Sequence, residues 1–317
     1  MTTTQFGVFV PQFKTDVAAM RERAVAAESA GFDSFWLMDH LYTPGAPLCD
    51  SLESWTLLTA LATVTSRIRL GHLVGCNPFR SPAVLAKMAA TVDRISGGRL
   101  DMGLGWGSDA AELETFGFPV ASPHARARAL GETVEILRMM WTGKAFDYTG
   151  AHFRLRGAYG LPRPVQDRIP VHIGGGGRHL TMPLVARHAD WWNCVGGARH
   201  RFGELAPLRG KARISAQFAI GLAENTALIP EVAAATARRM PAQAWGAPLV
   251  GTADMIVDQL LNERARGIEM FVLRFHDFGT PATLARFGRD VIGAIRQLEG
   301  TDRPRVAGGK TSSSDIG

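Results

Sequence analysis

Short apolar runs alternate with longer segments of helical periodicity along most of the chain. Apolar runs bounded by turn residues predict buried strands, whereas apolar residues at helical spacing predict amphipathic helices. In the first predicted helix, Val17, Met20, Ala24 and Ala27 recur at helical spacing and Gly31 ends the pattern. The eight predicted strands are Gln5–Val10, Phe32–Met38, Ile68–Gly75, Leu100–Leu104, Val171–Ile173, Asp190–Val195, Ile214–Leu222 and Glu269–Phe275.

Helical segments separate these strands. They are predicted over 16–30, 52–65, 82–95, 127–141, 180–189, 228–240, 252–266 and 281–298. This alternation predicts an α/β fold, a (β/α)8 TIM barrel, and a doubly wound open sheet is the alternative. The count of eight and the regular strand spacing in the first half favour the barrel.

The alternation breaks once, at an insertion over residues 142–168. It contains two short runs, 146–150 and 153–156, that predict a hairpin and loop. We expect this insertion to be a lid over the substrate. The barrel domain is predicted over 1–299, and the Gly-, Ser-, Thr- and Arg-rich residues 300–317 predict a disordered tail.

Composition narrows the class of protein. The 317 residues are 46% hydrophobic, which suffices for a large core, and the net charge is +6. The excess of arginine is spread along the chain, which favours an anionic cofactor or substrate over a nucleic acid, and a solvated arginine-rich surface is the alternative. Three separated cysteines, no signal-peptide pattern and no apolar run of about 18 residues predict a cytoplasmic protein without a membrane partner.

The chemistry of a barrel lies at the carboxyl ends of its strands. The fifth strand ends in Gly174, Gly175, Gly176 and Gly177, then Arg178 and a helix. Glycines allow close approach of the backbone, and free N–H groups at a helix start bind anions. This pattern favours a phosphate site, and a tight turn is the alternative.

Other strand ends carry a histidine, amides, glycines and an aromatic ring, a set that suits a planar organic ligand. No HExxH motif or cysteine cluster indicates a metal site. The residues at these ends are Asp39 and His40, Gly75 with Cys76 and Asn77, Trp106 with Gly107, Asn193 with Cys194, and Arg274 to His276.

Several sequence motifs, together with their order along the chain, resemble those of the bacterial luciferase-like flavin and deazaflavin oxidoreductases. The resemblance covers about residues 5–298, and its most similar branch uses the deazaflavin coenzyme F420. The wider family includes two-component monooxygenases that take reduced flavin mononucleotide (FMN). The motifs are Phe35–His40, Ile68–Gly71, Arg80–Ala83, Leu85–Thr91, Ile95–Arg99, Gly103–Gly105, Pro170–Gly177 and Ala189–Asn193.

The resemblance implies roles for residues around the cofactor ring. His40 is expected to relay a proton beside the ring, with Asp39 orienting it or bonding backbone amides. A non-prolyl cis peptide is expected near Gly75–Cys76, with Cys76 a ring contact rather than a nucleophile. Asn77 is expected to bond the ring edge.

The same resemblance places Trp106 and Gly107 beside the ring or substrate, and assigns the glycines 174–177 and Arg178 to the cofactor phosphate. This glycine pattern suits FMN and coenzyme F420 equally. Sugar-phosphate dehydrogenases of the family carry a glutamate where this chain has Ser108, followed by Asp109. That departure argues against oxidation of a sugar phosphate.

These observations predict an F420-dependent oxidoreductase that transfers a hydride to or from a small organic substrate. A two-component monooxygenase using reduced FMN and a non-catalytic flavin-binding protein are the alternatives. The expected partners are the substrate and a flavin or F420 reductase. A homodimer is expected through the helices predicted over 52–65 and 82–95.

Overall fold

The protein forms a closed eight-stranded parallel barrel. The computed structural model describes residues 3–46 and 48–301. Each strand pairs with the next, and the last pairs with the first, which confirms the predicted barrel and excludes the open sheet. The barrel strands are β1 (Gln5–Phe9), β2 (Ser34–Leu37), β3 (Arg69–His72), β4 (Leu100–Gly105), β5 (Val171–Gly174), β6 (Trp191–Cys194), β7 (Arg213–Leu222) and β8 (Met270–Phe275).

Helices surround the barrel, and in the described residues none is both long and apolar enough to cross a membrane. They are α1 (Val17–Ser29), α2 (Ser54–Ala62), α3 (Pro82–Ile95), α4 (Ala110–Thr115), α5 (Pro123–Trp141), α6 (Thr181–His188), α7 (Phe202–Leu205), α8 (Ile229–Arg239), α9 (Ala242–Trp245), α10 (Ala253–Ala265), α11 (Pro281–Phe287) and α12 (Gly293–Thr301). The predicted last helix is split by a π-helical turn over Gly288–Ile292. The helix continues past the predicted start of the tail, and residues 302–317 lie outside the described residues.

The third strand is shorter than predicted. It ends at His72, and Gly75–Cys76 then forms a separate two-residue strand beside β4. The expected non-prolyl cis peptide bond is present at the end of the third strand, and it joins Leu73 to Val74, two residues before Gly75–Cys76.

The insertion forms the predicted hairpin, from strands Phe146–Thr149 and Arg154–Ala158. Its loop is held by the carboxylate of Glu132 in α5, which accepts hydrogen bonds from three successive N–H groups. The segment that follows is held by Asp93 of α3. The insertion therefore lies against the outer helices, and none of its residues lines the mouth cavity described below. The prediction of a lid was wrong.

Aromatic side chains fill the barrel interior. Trp36 is fully buried, and a Cβ atom at Gly7 or Gly71 would lie 2.6 Å from its ring, so both positions require glycine. The ring of His172 lies edge-on to Trp36 at 4.9 Å and stacks on Trp191 at 5.5 Å. The barrel is therefore a packed core rather than a pore, and ligands are confined to its mouth.

Arg99 ties together the closed end of the barrel. Its buried guanidinium donates to the carbonyls of Ala62, Thr65 and Ile68 and to the Thr65 hydroxyl. Carbonyls at a helix end need such donors when they are buried. The Gly97-Gly98-Arg99 motif thus joins the end of α2 to the starts of β3 and β4, far from the mouth.

Candidate active site

A cavity of about 310 Å³ opens at the carboxyl ends of strands β2 to β6. The residues to which the resemblance gave a role line it, except Asn77 and Arg178. Of the other strand-end residues predicted to suit a ligand, Asn193, Cys194 and 274–276 do not line it. The lining residues are Asp39, His40, Val74, Gly75, Cys76, Gly105, Trp106, Gly107, Ser108, Asp109, Glu112, Gly174, Gly175, Gly176, Gly177, Thr181 and Val195.

His40 is oriented by Glu112 rather than by Asp39. Its Nδ1 lies 2.7 Å from the carboxylate of Glu112, whose other oxygen accepts the N–H of Leu41 at 2.6 Å. Glu112 is 1% exposed, whereas the His40 side chain is 33% exposed. With Nδ1 paired to Glu112, Nε2 is the ring nitrogen left to exchange a proton with a ligand.

The Glu112 carboxylate also sets the protonation of His40. Burial lowers the pKa of His40, but the hydrogen bond and negative charge of Glu112 outweigh burial and raise it above its ordinary value. The acidic groups Asp39 and Asp109 act in the same direction. His40 is therefore protonated over a wider pH range than an isolated histidine.

Asp39 instead anchors the backbone behind the cavity. It binds Arg80 through both oxygens, at 2.7 and 3.1 Å, and accepts the Ser54 hydroxyl at 2.6 Å and the Cys76 N–H at 2.9 Å. The expectation that Asp39 orients His40 was wrong, and the alternative that it bonds a backbone amide is confirmed.

The charge of Asp39 is balanced by Arg80. Burial raises the pKa of Asp39, but His72 and Arg80 outweigh burial and hold it below its ordinary value. Burial lowers the pKa of His72 itself, so Arg80 is the cation that pairs with Asp39 at neutral pH. The carboxylate therefore stays ionised and keeps its bond to Cys76.

Cys76 is a neutral thiol in this environment. Burial, followed by the charges of Asp39 and Glu112, raises its pKa far above the ordinary value. Because the thiolate is the nucleophilic form, Cys76 is unsuited to nucleophilic attack and is suited to contact with a ligand.

The glycine run forms a narrow cradle that lines the same cavity. A Cβ atom at Gly176 would lie 2.3 Å from Ala198, and one at Gly174 would lie 2.6 Å from Val74. Gly175 has a φ of +132°, which side chains disfavour. Within the described chain, the N–H groups of Gly176 and Gly177 have no hydrogen-bond acceptor. These free donors beside the start of α6 suit an anion.

Two predicted ligands of the cofactor point elsewhere. Arg178 does not line the cavity; it is half-exposed and pairs with Glu204 at 2.9 Å. Asn77 is buried behind the cavity, and its Oδ1 has no partner among the described residues. The loop after β4 is nearer the cradle, because Trp106 donates its Nε1–H to the Thr181 hydroxyl at 3.3 Å.

Sequence reasoning missed Glu112, Arg80 and Thr181. Asp109 and Glu112 carry the spacing of a capping box, and Asp109 does accept the N–H of Glu112 at 3.1 Å. That spacing would have predicted the short helix α4. No local pattern would have indicated that Glu112 then reaches back to His40, which lies 72 residues earlier.

The profile of the luciferase-like monooxygenase family matches residues 4–208. The chain belongs to this family. The resemblance expected from the motifs is thereby confirmed.

Curated relatives of this luciferase-like protein carry different activities. The 5,10-methylenetetrahydromethanopterin reductase of Archaeoglobus fulgidus is 36% identical over 188 residues, covering 59% of this chain and 51% of the relative. The pyrimidine monooxygenase RutA of Methylobacterium radiotolerans is 33% identical over 206 residues, covering 62% and 52%. The chain spans about half the length of these relatives.

A solved structure shares the whole fold. The coenzyme F420-dependent tetrahydromethanopterin reductase of Methanopyrus kandleri superposes with a TM-score of 0.75, covering 93% of this chain and 100% of that one. The two sequences are 19% identical, so this similarity concerns the fold of the luciferase-like protein and not its chemistry.

Proposed function

We propose that this luciferase-like protein is an F420-dependent oxidoreductase that transfers a hydride between the deazaflavin and a small organic substrate. The observation that carries the proposal is that the paired His40 and Glu112 line the same cavity as a glycine cradle. A proton donor and an anion site on one cavity are what a hydride transfer with a phosphate-bearing cofactor requires.

The residues present fit such a cofactor. Gly176 and Gly177 would bind its phosphate through free N–H groups, since a side chain at Gly176 would close the cradle. Gly75, Cys76 and Trp106 would contact its ring from the cavity walls. When bound, a deazaflavin supplies a two-electron hydride carrier.

His40 would supply the proton that accompanies hydride transfer. Its Nε2–H would donate to the substrate atom that gains the hydride's negative charge, and the Glu112 carboxylate, which raises the pKa of His40, favours the protonated imidazole that this role needs. In the reverse direction the neutral imidazole would accept the same proton.

Coenzyme F420 is favoured over FMN by the resemblance of the motifs to the F420-dependent branch, by the cofactor of the Methanopyrus reductase that shares the fold, and by the net charge of +6, which suits a cofactor with an acidic tail. A flavin-dependent monooxygenase is the second candidate. It is supported by the similarity to RutA and by the family's description. In that case an FMN or flavin reductase is the expected partner.

A binding titration separates the two candidates. Purified protein is titrated with coenzyme F420 and, without oxygen, with reduced FMN, and cofactor fluorescence is followed. We expect micromolar binding of F420, and micromolar binding of reduced FMN alone would overturn the proposal. A non-catalytic flavin-binding role would be favoured if His40→Ala left every turnover of the bound cofactor unchanged.

A further inference from the structure

Arg274 is a charged side chain at the mouth that none of the roles above uses. It follows Met270 and Val272 on β8, at the two-residue spacing that places side chains on one face of a strand. Met270 and Val272 pack inside the barrel with Phe9 and Trp36. Arg274, one step further toward the carboxyl end, therefore lies at the top of the interior.

The guanidinium of Arg274 has no acidic partner among the described residues, and its Nε is buried without a hydrogen bond. Burial alone lowers its pKa to about 10, so it remains charged at neutral pH. Two other partly buried arginines of this barrel are paired, Arg69 with Asp101 and Arg80 with Asp39. A charge that is partly removed from water and has no partner is costly, and it is retained where function needs it.

Aromatic rings surround this charge. The guanidinium carbon lies 4.5 Å from the ring centre of Trp245 and 5.7 Å from that of Phe278. Phe9 packs on Trp245 at 5.7 Å. These rings stabilise a cation in part, but they form an apolar wall that excludes the water which would otherwise solvate it.

The position of Arg274 complements the cofactor cavity. That cavity is lined by residues after β2 to β6, whereas β8 lies between β7 and β1 on the remaining part of the same mouth. A cofactor in the cavity would thus leave the Arg274 side of the mouth for a second molecule.

We propose that Arg274 binds the anionic group of the substrate, and that the substrate is an organic acid whose apolar body packs against Phe9 and Trp245. The guanidinium offers a planar fork of donors that matches a carboxylate. This assignment of a substrate class rests on the proposed function, because it takes the cavity of His40 as the place of reaction.

The test uses benzoate and its neutral isostere benzamide as probes of the cofactor-free protein, with tryptophan fluorescence and calorimetry as readouts. We expect wild type to bind benzoate at least about tenfold more tightly than benzamide, the discrimination of a charge-assisted hydrogen bond. Arg274→Gln should abolish the difference, and Arg274→Lys should keep part of it.

Arg239→Gln is the matched control. Arg239 also lies over Phe278, at 5.3 Å, but it donates to the His276 carbonyl and is exposed. This variant should discriminate between the probes as wild type does. Equal binding of the two probes by wild type, or unchanged discrimination in Arg274→Gln, would overturn the inference.

The F420 titration is run on the same samples. If the protein does not bind F420 but still prefers benzoate to benzamide, the proposed cofactor is wrong and the anion site at Arg274 is supported. If the protein binds F420 tightly but does not distinguish the two probes, the proposed cofactor is supported and the anion site is wrong.

Discussion

The Glu112 carboxylate spans two neighbouring groups, Nδ1 of His40 at 2.7 Å and the N–H of Leu41 at 2.6 Å. Glu112 is buried and cannot turn to solvent, so its charge is directed at the imidazole. The backbone bond to Leu41 fixes the carboxylate, and the carboxylate fixes the ring. Glu112 is therefore a positioning residue that acts through His40.

Replacing Glu112 with Gln should lower the pKa of His40, because the variant keeps the shape of the side chain and removes its charge. We expect the His40 resonances in an NMR titration to shift at lower pH than in wild type. The pH profile of turnover should move in the same direction. Glu114→Gln, an exposed change in the same helix α4, should leave both curves unchanged. Coincident titration curves for wild type and Glu112→Gln would contradict this role.

The same pair makes stability depend on pH. The pKa of His40 is raised by folding, so the stabilisation is complete below the unfolded value of about 6.5 and is lost as pH rises through the folded pKa. The free energies of unfolding of wild type and His40→Gln, measured with urea, should therefore differ most at acidic pH and converge at alkaline pH. If the difference between these free energies instead grows with pH, the imidazole is neutral in the folded protein.

Removing Arg80 should strongly destabilise the fold. Arg80→Met leaves the buried carboxylate of Asp39 without its cation, which costs about 3–5 kcal/mol in comparable pairs. Asp39 has a depressed pKa, so its contribution is present at neutral pH and is lost as pH falls through the folded value. Urea unfolding at neutral pH measures the decrease in the free energy of unfolding caused by Arg80→Met. This decrease should become smaller as the pH is lowered.

Arg168→Met is the control for this comparison. Its pair with Asp190 is even shorter, 2.5 Å against 2.7 Å, but the Arg168 side chain is 61% exposed. Exposed pairs contribute about 1 kcal/mol or less. Similar losses in the two variants would mean that the Arg80 pair is no stronger than a surface pair.

The barrel could be predicted from the local sequence pattern, because buried strands appear as short apolar runs and amphipathic helices as apolar residues at helical spacing. The mouth residues followed from topology, since parallel strands bring their carboxyl ends to one rim. The partners of His40 and Asp39 could not be predicted, because Glu112 and Arg80 are 72 and 41 residues away and depend on tertiary packing. The insertion was misplaced for a similar reason: the sequence predicts its hairpin and the helix over 127–141, but no local pattern indicates that Glu132 of that helix holds the hairpin loop.

The cradle gives a prediction about cofactor binding. A methyl group at Gly176 would lie 2.3 Å from Ala198, so Gly176→Ala must move the loop or fill the anion site. We expect the dissociation constant for coenzyme F420 to rise at least about tenfold, equivalent to about 1.4 kcal/mol. Fluorescence titration measures this change. Gly203→Ala, whose added Cβ meets nothing within 4 Å, should bind as wild type does. Unchanged affinity in Gly176→Ala would remove the cradle from the binding site.

The outer faces of α2 and α3 carry the proposed homodimer contact. Together with Gly157–Tyr159 they form a mostly apolar groove of about 1170 Å³, and Val84 on its wall is 55% exposed. Apolar surface of this extent commonly marks an interface between subunits. Val84→Asp would bury a charge in that contact and should convert a dimer into a monomer.

Light scattering coupled to gel filtration at micromolar protein measures the mass of wild type, of Val84→Asp and of the control variant Val25→Asp. Val25 is 43% exposed on α1, so the control should remain dimeric. A monomeric wild type would refute the dimer itself. A dimer that survives Val84→Asp would place the contact on another face of the barrel, since a buried aspartate without a cation is too costly for this groove to accommodate.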